Sequence, residues 1–368
     1  MNMKRLSRLY RRGSAKLLSY LPGTNYIDGI PHGLTFDELD ELCRSYVDDS
    51  LKSVSYCPLS GWKKSAAFRL VLRTESGNKW SVIYKNAHYA RDLIPALKRF
   101  PINPGPPEYV IYSEDRVKIR HYLPGIYMHR ELTPCMHYRY LMEDLSTHHR
   151  PARNGKDILS VAARLPELHS KIMECDHDQN EEWFITYDRE TISSLKTYIF
   201  EGIERYVNHT NSNRVYGLYD NWERISQLYD EKNDYAGLNT KIHGDSNLAN
   251  IFIDKTNTRN IKFIDWEWAG IGLPHQDLAS LLKRARPAIE DAAIEIYSII
   301  YGVLSLAEHK RIYEICQLER GLLDCAFLAN QVTGTTDDTN IDIKGYIEDS
   351  ALRATRAFYR LDGLSQHS

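Results

Sequence analysis

The chain has 368 residues, 42% of them hydrophobic and 26% charged, with 47 basic against 49 acidic side chains. At this length a fold buries roughly 75% of the surface its unfolded form exposes, enough for two domains or one two-lobed enzyme. Ordinary Gly and Pro usage argues against collagen-like repeats and long disorder, and a formal charge of -2 argues against a generic nucleic-acid binder.

The first 20 residues, MNMKRLSRLYRRGSAKLLSY, hold six basic and no acidic side chains. A basic helix on anionic lipid and a solvated, frayed terminus both fit this composition. The terminus reading is preferred, and a weak peripheral membrane contact stays open. No signal-peptide-like apolar run stands here, and the longest apolar stretch, Ala292 to Ala307, carries Glu295 and falls short of a membrane span. Six cysteines (Cys43, Cys57, Cys135, Cys175, Cys316 and Cys325) follow neither a disulfide framework nor a zinc spacing, so a reducing, cytoplasmic setting is expected. Thr35 to Val47 predicts a helix, with Thr35 as N-cap and Leu39, Leu42 and Cys43 on one face.

From Leu51 the period changes. Leu51 to Cys57, Ala67 to Arg73 and Trp80 to Tyr84 predict an antiparallel meander, with a turn at residues 75–78 between the last two. A fourth β-rich stretch, Tyr138 to Met142, follows a Pro-rich connection over residues 101–107. Beyond residue 150 the pattern is helical, and Ile158, Val161, Ala162, Leu165, Leu168 and Ile172 predict one helix kinked at Pro166. Short β-like runs at 250–254 and 261–265 interrupt the helices, and further helices are expected near Ala288 to Ala307 and Tyr313 to Asn330. The expected plan is α+β: a basic extension and helix over 1–50, a small β-rich lobe over 51–145, and a larger helical lobe over 146–368.

Residues 243–254 read H-G-D-S-N-L-A-N-I-F-I-D, and residues 261–268 read I-K-F-I-D-W-E-W. An Asp, an Asn five residues later and a second Asp after a β-hairpin form a phosphoryl-transfer layout. The first Asp, Asp245, can accept a proton from a hydroxyl, while the amide oxygen of Asn250 and the carboxylate of Asp265 can hold Mg²⁺ against ATP phosphates. The Asp-to-Asn spacing equals that of the protein-kinase catalytic loop. A turn with an Asx-type cap at Asp245, and a hairpin turn near Asp254, would explain one pair. It does not explain both elements in order, followed by G-x-P-x-x-D-L-A over residues 272–279.

The segment from His243 to Ala279 resembles the aminoglycoside phosphotransferase and choline kinase family, and the resemblance extends more weakly over Leu51 to Arg286. It implies a two-lobed protein-kinase-like fold with a small antiparallel N-lobe and a mainly helical C-lobe. It also implies Asp245 as catalytic base, Asn250 and Asp265 as metal ligands, and Asp277 as an anchor receiving hydrogen bonds from the loop backbone. His243 reads as a structural residue shaping that loop. Lys85, in S-V-I-Y-K at a strand end, would reach the α/β-phosphates, with the loop from Ser60 to Ser65, including Gly61, covering them. Glu108, in G-P-P-E-Y-V-I-Y, would position Lys85; a helix cap explains it equally well. Residues 140–145 resemble the hinge, where main-chain groups of Met142, Glu143 and Asp144 would hold adenine.

Gly244 stands where protein kinases carry an Arg, eleven residues separate Asp265 from Asp277, and D-W-E replaces D-F-G. All three disfavour a protein substrate. Glu267 and the faces of Trp266 and Trp268 could meet a cationic or hydroxylated acceptor, with at least one Trp expected as packing. His148-His149 and Cys175-Asp-His177 lack partners at ligand spacing and read as surface residues. The expected activity is ATP- and Mg²⁺-dependent phosphorylation of a hydroxyl on an amino sugar, a sugar or a choline- or ethanolamine-like alcohol. Its rivals are a catalytically silent nucleotide-binding scaffold of the same fold and, behind it, a protein kinase.

Overall fold

The structure, a computed structural model, describes residues 30–31, 33–59, 65–88, 100–101, 107–113, 118–133, 137–174, 184–210, 212–332 and 341–363. The basic segment 1–20, Gly61 in its loop, and the Cys175–His177 fragment lie outside the described residues. The described residues fall into two units, one drawn from 1–88 and 125–144 and the other from 89–124 and 145–368.

The first unit opens with α1 (Phe36–Val47). Thr35 Oγ1 accepts the Glu38 N–H at 3.2 Å, and the Glu38 carboxylate accepts the Thr35 N–H at 2.9 Å. This capping box satisfies helix donors that would otherwise lack partners, and Leu39, Leu42 and Cys43 bury beneath it. β1 (Leu51–Pro58), β2 (Ser65–Thr74) and β3 (Lys79–His88) form the meander, and β4 (Ile126–Thr133) and β5 (His137–Glu143) complete an antiparallel sheet of order β1-β2-β3-β5-β4. Within this sheet, β4 is the strand that the sequence does not announce. It lies at the sheet edge, carries His129, Arg130 and Glu131 in succession, and pairs with β5 through two register shifts. An edge strand needs only one bonded neighbour and so tolerates this irregular, polar sequence. Leu70, Leu72, Val82, Tyr84 and Leu141 from the sheet close a core with Leu39, Leu42 and Cys43.

The second unit begins with α2 (Pro107–Ser113), β6 (His149–Pro151), α3 (Gly155–Ala162), α4 (Leu165–Met173) and β7 (Ile185–Thr186). Then come α5 (Arg189–His209), α6 (Asn213–Asp220), α7 (Trp222–Asp230), β8 (Thr240–Ile242), β9 (Ile251–Asp254), β10 (Ile261–Phe263) and β11 (Gly270–Gly272). It ends with α8 (His275–Leu281), α9 (Pro287–Tyr301), α10 (Leu306–Val332) and α11 (Ile341–Leu361). The single kinked helix expected across Ile158 to Ile172 is two helices. The chain turns at Ala163 and Arg164, and Pro166 sits in the first turn of α4, where a missing N–H leaves no helical bond unmade. His148 is exposed as expected. His149 is not, because β6 pairs with β9 and leaves it 4% exposed.

Helices α5, α10 and α11 share a core that includes Leu195, Ile199, Leu318, Leu322, Ile347 and Ala351. At its centre a Cβ on Gly321 of α10 would stand 2.8 Å from the Ala354 nitrogen of α11. The glycine thus permits a backbone approach that no side chain allows, and it fixes the face presented by its neighbour, Arg320. Two three-stranded sheets, β10-β9-β6 and β7-β11-β8, frame the loops between β8 and α8. No helix among the described residues is long and apolar enough to cross a membrane.

Candidate active site

Short strands bring the chemical residues together. Phe263 of β10 pairs with Ile251 of β9, and the Ile264 N–H donates to the Asn250 carbonyl at 3.0 Å. The hairpin therefore sets Asn250 and Asp265 at one end. The Asn250 Nδ2 donates to the Asp245 carbonyl at 2.9 Å and to Asp245 Oδ2 at 3.1 Å. With its amide nitrogen committed to Asp245, Asn250 has its Oδ1 oxygen left for a cation. Asp265 adopts φ 65° and ψ 59°, a left-handed conformation that costs a non-glycine residue about 1 kcal/mol or more. One carboxylate and one amide oxygen are hard donors, a set that suits Mg²⁺ when phosphate oxygens and water complete its shell. Among the described residues no group of three or more His, Cys, Asp and Glu is gathered for a metal.

The loop is braced from α8. Asp277, fully buried, accepts the His243 N–H at 2.8 Å and the Gly244 N–H at 2.9 Å, and His169 Nε2 lies 2.9 Å from the same carboxylate. Burial pushes the Asp277 carboxyl up, but His169 and the loop N–H groups outweigh it and hold the group below its ordinary value. The Ser246 hydroxyl donates to the Asp277 carbonyl at 2.7 Å, adding a second tie. Burial pushes His243 down, which favours the neutral ring. Its Nε2 donates to the Ile264 carbonyl at 3.0 Å and its Nδ1 accepts the Asp245 N–H at 3.2 Å. His243 thus ties the loop to the hairpin's end. Gly244 sits at φ +79°, and a Cβ there would land on the Trp268 carbonyl oxygen.

Arg320 of α10 is the neighbour of Asp245 that sequence reasoning missed. Its Nη2 donates to Asp245 Oδ1 at 2.8 Å and its Nη1 donates to the Gly244 carbonyl at 3.2 Å. No motif marks it, because it arrives 75 residues later on a helix whose pattern shows only an apolar face.

Trp266 is fully buried against His243, with ring centroids 4.3 Å apart, so it is packing. Trp268 meets Phe100 edge to face at 5.5 Å, and Glu267 is half-buried in the same turn. Glu108 lies in the second unit on α2 and is 1% exposed. Burial, with Glu108 and Asp265 nearby, pushes the hydroxyl of its α2 neighbour Tyr112 well above the ordinary range. Lys85 lies in the first unit, half-buried on β3 and in register with Ala67 and Tyr140. Ser65 opens β2. Met142 and Glu143 end β5, where the Glu143 N–H donates to the Gly125 carbonyl at 2.7 Å. The Asp144 carboxylate is buried, paired with Arg69 at 2.7 Å and accepting the Ser81 hydroxyl at 2.6 Å. Its side chain is therefore committed to the sheet, and only its main chain is open to a hinge role.

Residues 217–315 match the model of the phosphotransferase enzyme family. A spectinomycin phosphotransferase solved with ADP and spectinomycin is similar with a TM-score of 0.56 at 13% identity, over 89% of this chain and 99% of its own. The fold is that of the aminoglycoside phosphotransferases and choline kinases. Within this kinase-like fold, a choline kinase from Streptococcus pneumoniae gives a TM-score of 0.51 at 14% identity, covering 88% of this chain and 98% of its own. A microcompartment-associated aminopropanol kinase gives 0.57 at 13% identity, covering 89% and 98% respectively. No curated protein matches the sequence significantly. The phosphotransferase match takes in the whole stretch from His243 to Asp277 and ends before Arg320.

Proposed function

We propose that the protein transfers the γ-phosphoryl group of ATP to a hydroxyl of a small molecule, with Asp245 as the proton acceptor. The observation that carries this reading is the joint placement of Asp245, Asn250 and Asp265 on one loop and one hairpin, braced by the buried Asp277. The acceptor oxygen attacks the γ-phosphorus and forms a new P–O bond. The bond from that phosphorus to the β,γ-bridging oxygen breaks, ADP leaves, and the hydroxyl proton passes to Asp245. The transition state of such transfers is loose, so the protein's contribution is positioning and charge stabilisation. Asn250 Oδ1 and Asp265 would hold Mg²⁺, which supplies positive charge to the phosphate oxygens when bound.

For the nucleotide, the assigned groups are Lys85 on the α/β-phosphates, the loop with Gly61 and Ser65 over them, and the main chain of Met142 to Asp144 at adenine. The complex of the spectinomycin enzyme with ADP supports nucleotide use by this fold. The acceptor is a sugar, amino sugar or choline- or ethanolamine-like alcohol, with Glu267 and Trp268 as candidate contacts. The eleven residues between Asp265 and Asp277 support a small acceptor over a peptide, since they leave no room for a peptide platform. A reducing, cytoplasmic setting agrees with free Cys43, Cys57, Cys316 and Cys325.

Two variants test the assignment. Asp245→Asn is expected to keep nucleotide affinity while lowering turnover by about 10²-fold or more. Asp265→Asn is expected instead to weaken Mg²⁺–ATP binding, read by titration calorimetry with and without the metal. Wild-type turnover in both would overturn the reading.

A further inference from the structure

We infer that Arg320 is a positioning residue for the transfer step, holding the Asp245 carboxylate in the orientation that accepts the acceptor's proton. The inference rests on Asp245 being the base and extends that reading to a residue beyond the family match. A loop carboxylate can rotate about its side-chain bonds, and a misdirected base loses much of the rate. Asn250 fixes one oxygen of Asp245, and Arg320 fixes the other at 2.8 Å. The guanidinium also takes the Gly244 carbonyl at 3.2 Å, so one planar fork holds both the backbone and the side chain of the loop.

Arg320 is itself clamped. Its Nε stands 3.3 Å from Asp324 Oδ1, one helical turn further along α10. The other Asp324 oxygen lies 2.5 Å from Lys283, just beyond α8, and 3.1 Å from Arg353 of α11. Three cations thus face one carboxylate at Asp324, and Asp245 is the second carboxylate that the cluster reaches, through Arg320. The contact with Asp324 is an ion pair without a hydrogen bond, whereas the guanidinium's hydrogen bonds to the Gly244 carbonyl and Asp245 Oδ1 both go to the reacting loop. Gly321 beside Arg320 lets α11 come close enough to bring Arg353 in.

The experiment compares wild type, Arg320→Ala, Arg320→Lys and Asp245→Asn for ATP turnover with water as the acceptor, KM for ATP, and thermal unfolding midpoint. Arg320→Lys retains a charge opposite Asp324 but cannot span Gly244 and Asp245 together. It is expected to keep its midpoint and its KM within about 2-fold, while kcat falls about 10-fold or more. Arg320→Ala is expected to lose more, and millimolar guanidinium is expected to restore about 10-fold of its kcat. Wild-type kcat in the Lys variant overturns the inference, as does a folded Ala variant that guanidinium does not rescue. If Arg320→Ala fails to fold, the Lys variant decides. If Asp245→Asn turns over like wild type, the base assignment fails first and the role of Arg320 falls with it, whatever the arginine variants do.

Discussion

At Gly244 the backbone takes φ +79° while passing directly against the Trp268 carbonyl oxygen. The left-handed conformation and the absence of room for a Cβ act together, so even alanine is excluded without displacing the loop. Gly244→Ala is expected to destabilise the protein by about 1–3 kcal/mol and to lower turnover, because Asp245 is the next residue. Urea unfolding followed by tryptophan fluorescence measures the first effect, and an unchanged midpoint would contradict the steric account. In the sequence this glycine is visible only as the absence of a kinase arginine. Asp245, Asn250, Asp265 and Asp277 are legible because loop and hairpin lengths fix their spacing locally. Arg320 and His169 are not, since a charged or polar residue on a helix reads as a solvated face until the helix is packed.

Among the elements, α8 and α10 meet through two buried imidazoles, with His275 Nε2 2.8 Å from His309 Nδ1. One ring donates to the other, and a second proton would set two donors face to face. Burial, then the neighbouring His309 and His169, push His275 well below its ordinary range, and burial also lowers His309. Both folded values lie under the unfolded value of about 6.5, so the unfolded chain takes up protons below that pH which the folded chain refuses. Each histidine then removes up to about 1.4 kcal/mol of stability per unit fall in pH. Glu314 of α10 opposes them: burial, against its Arg360 bond, raises it to about 7, so its proton stays bound in the fold as pH falls. His121, His129 and His243 are lowered by burial as well, so five histidines stand against one glutamate. Stability in urea is therefore expected to drop between pH 7 and pH 5, and a constant or rising midpoint would contradict this. The elements themselves are unevenly legible. β1 to β3 declare themselves by alternation and a turn at residues 75–78, whereas the polar edge strand β4 does not, and Pro166 starts a helix where the apolar spacing predicts a kink in one.

Across the whole molecule, Asp245, Asn250, Asp265, Asp277 and Arg320 all belong to the second unit, so the geometry of the proposed chemistry depends on the internal packing of one helical body. Lys85 and the residues 142–144 belong to the sheet unit. The acceptor is the least legible part of the protein in its sequence, since beside Asp245 stand Ser280 of α8 and Arg320 of α10 as well as Asn250 of the loop, and helix composition alone does not reveal which side chains reach the loop. The most direct measurement gives wild type and Asp245→Asn labelled ATP with a panel of sugars, amino sugars and amino alcohols, and separately with a peptide mixture, with products identified by phosphorus NMR. The account predicts a phosphate monoester on a small-molecule hydroxyl, formed about 10²-fold more slowly by the variant. Transfer to peptides alone, or equal product from both proteins, would contradict it.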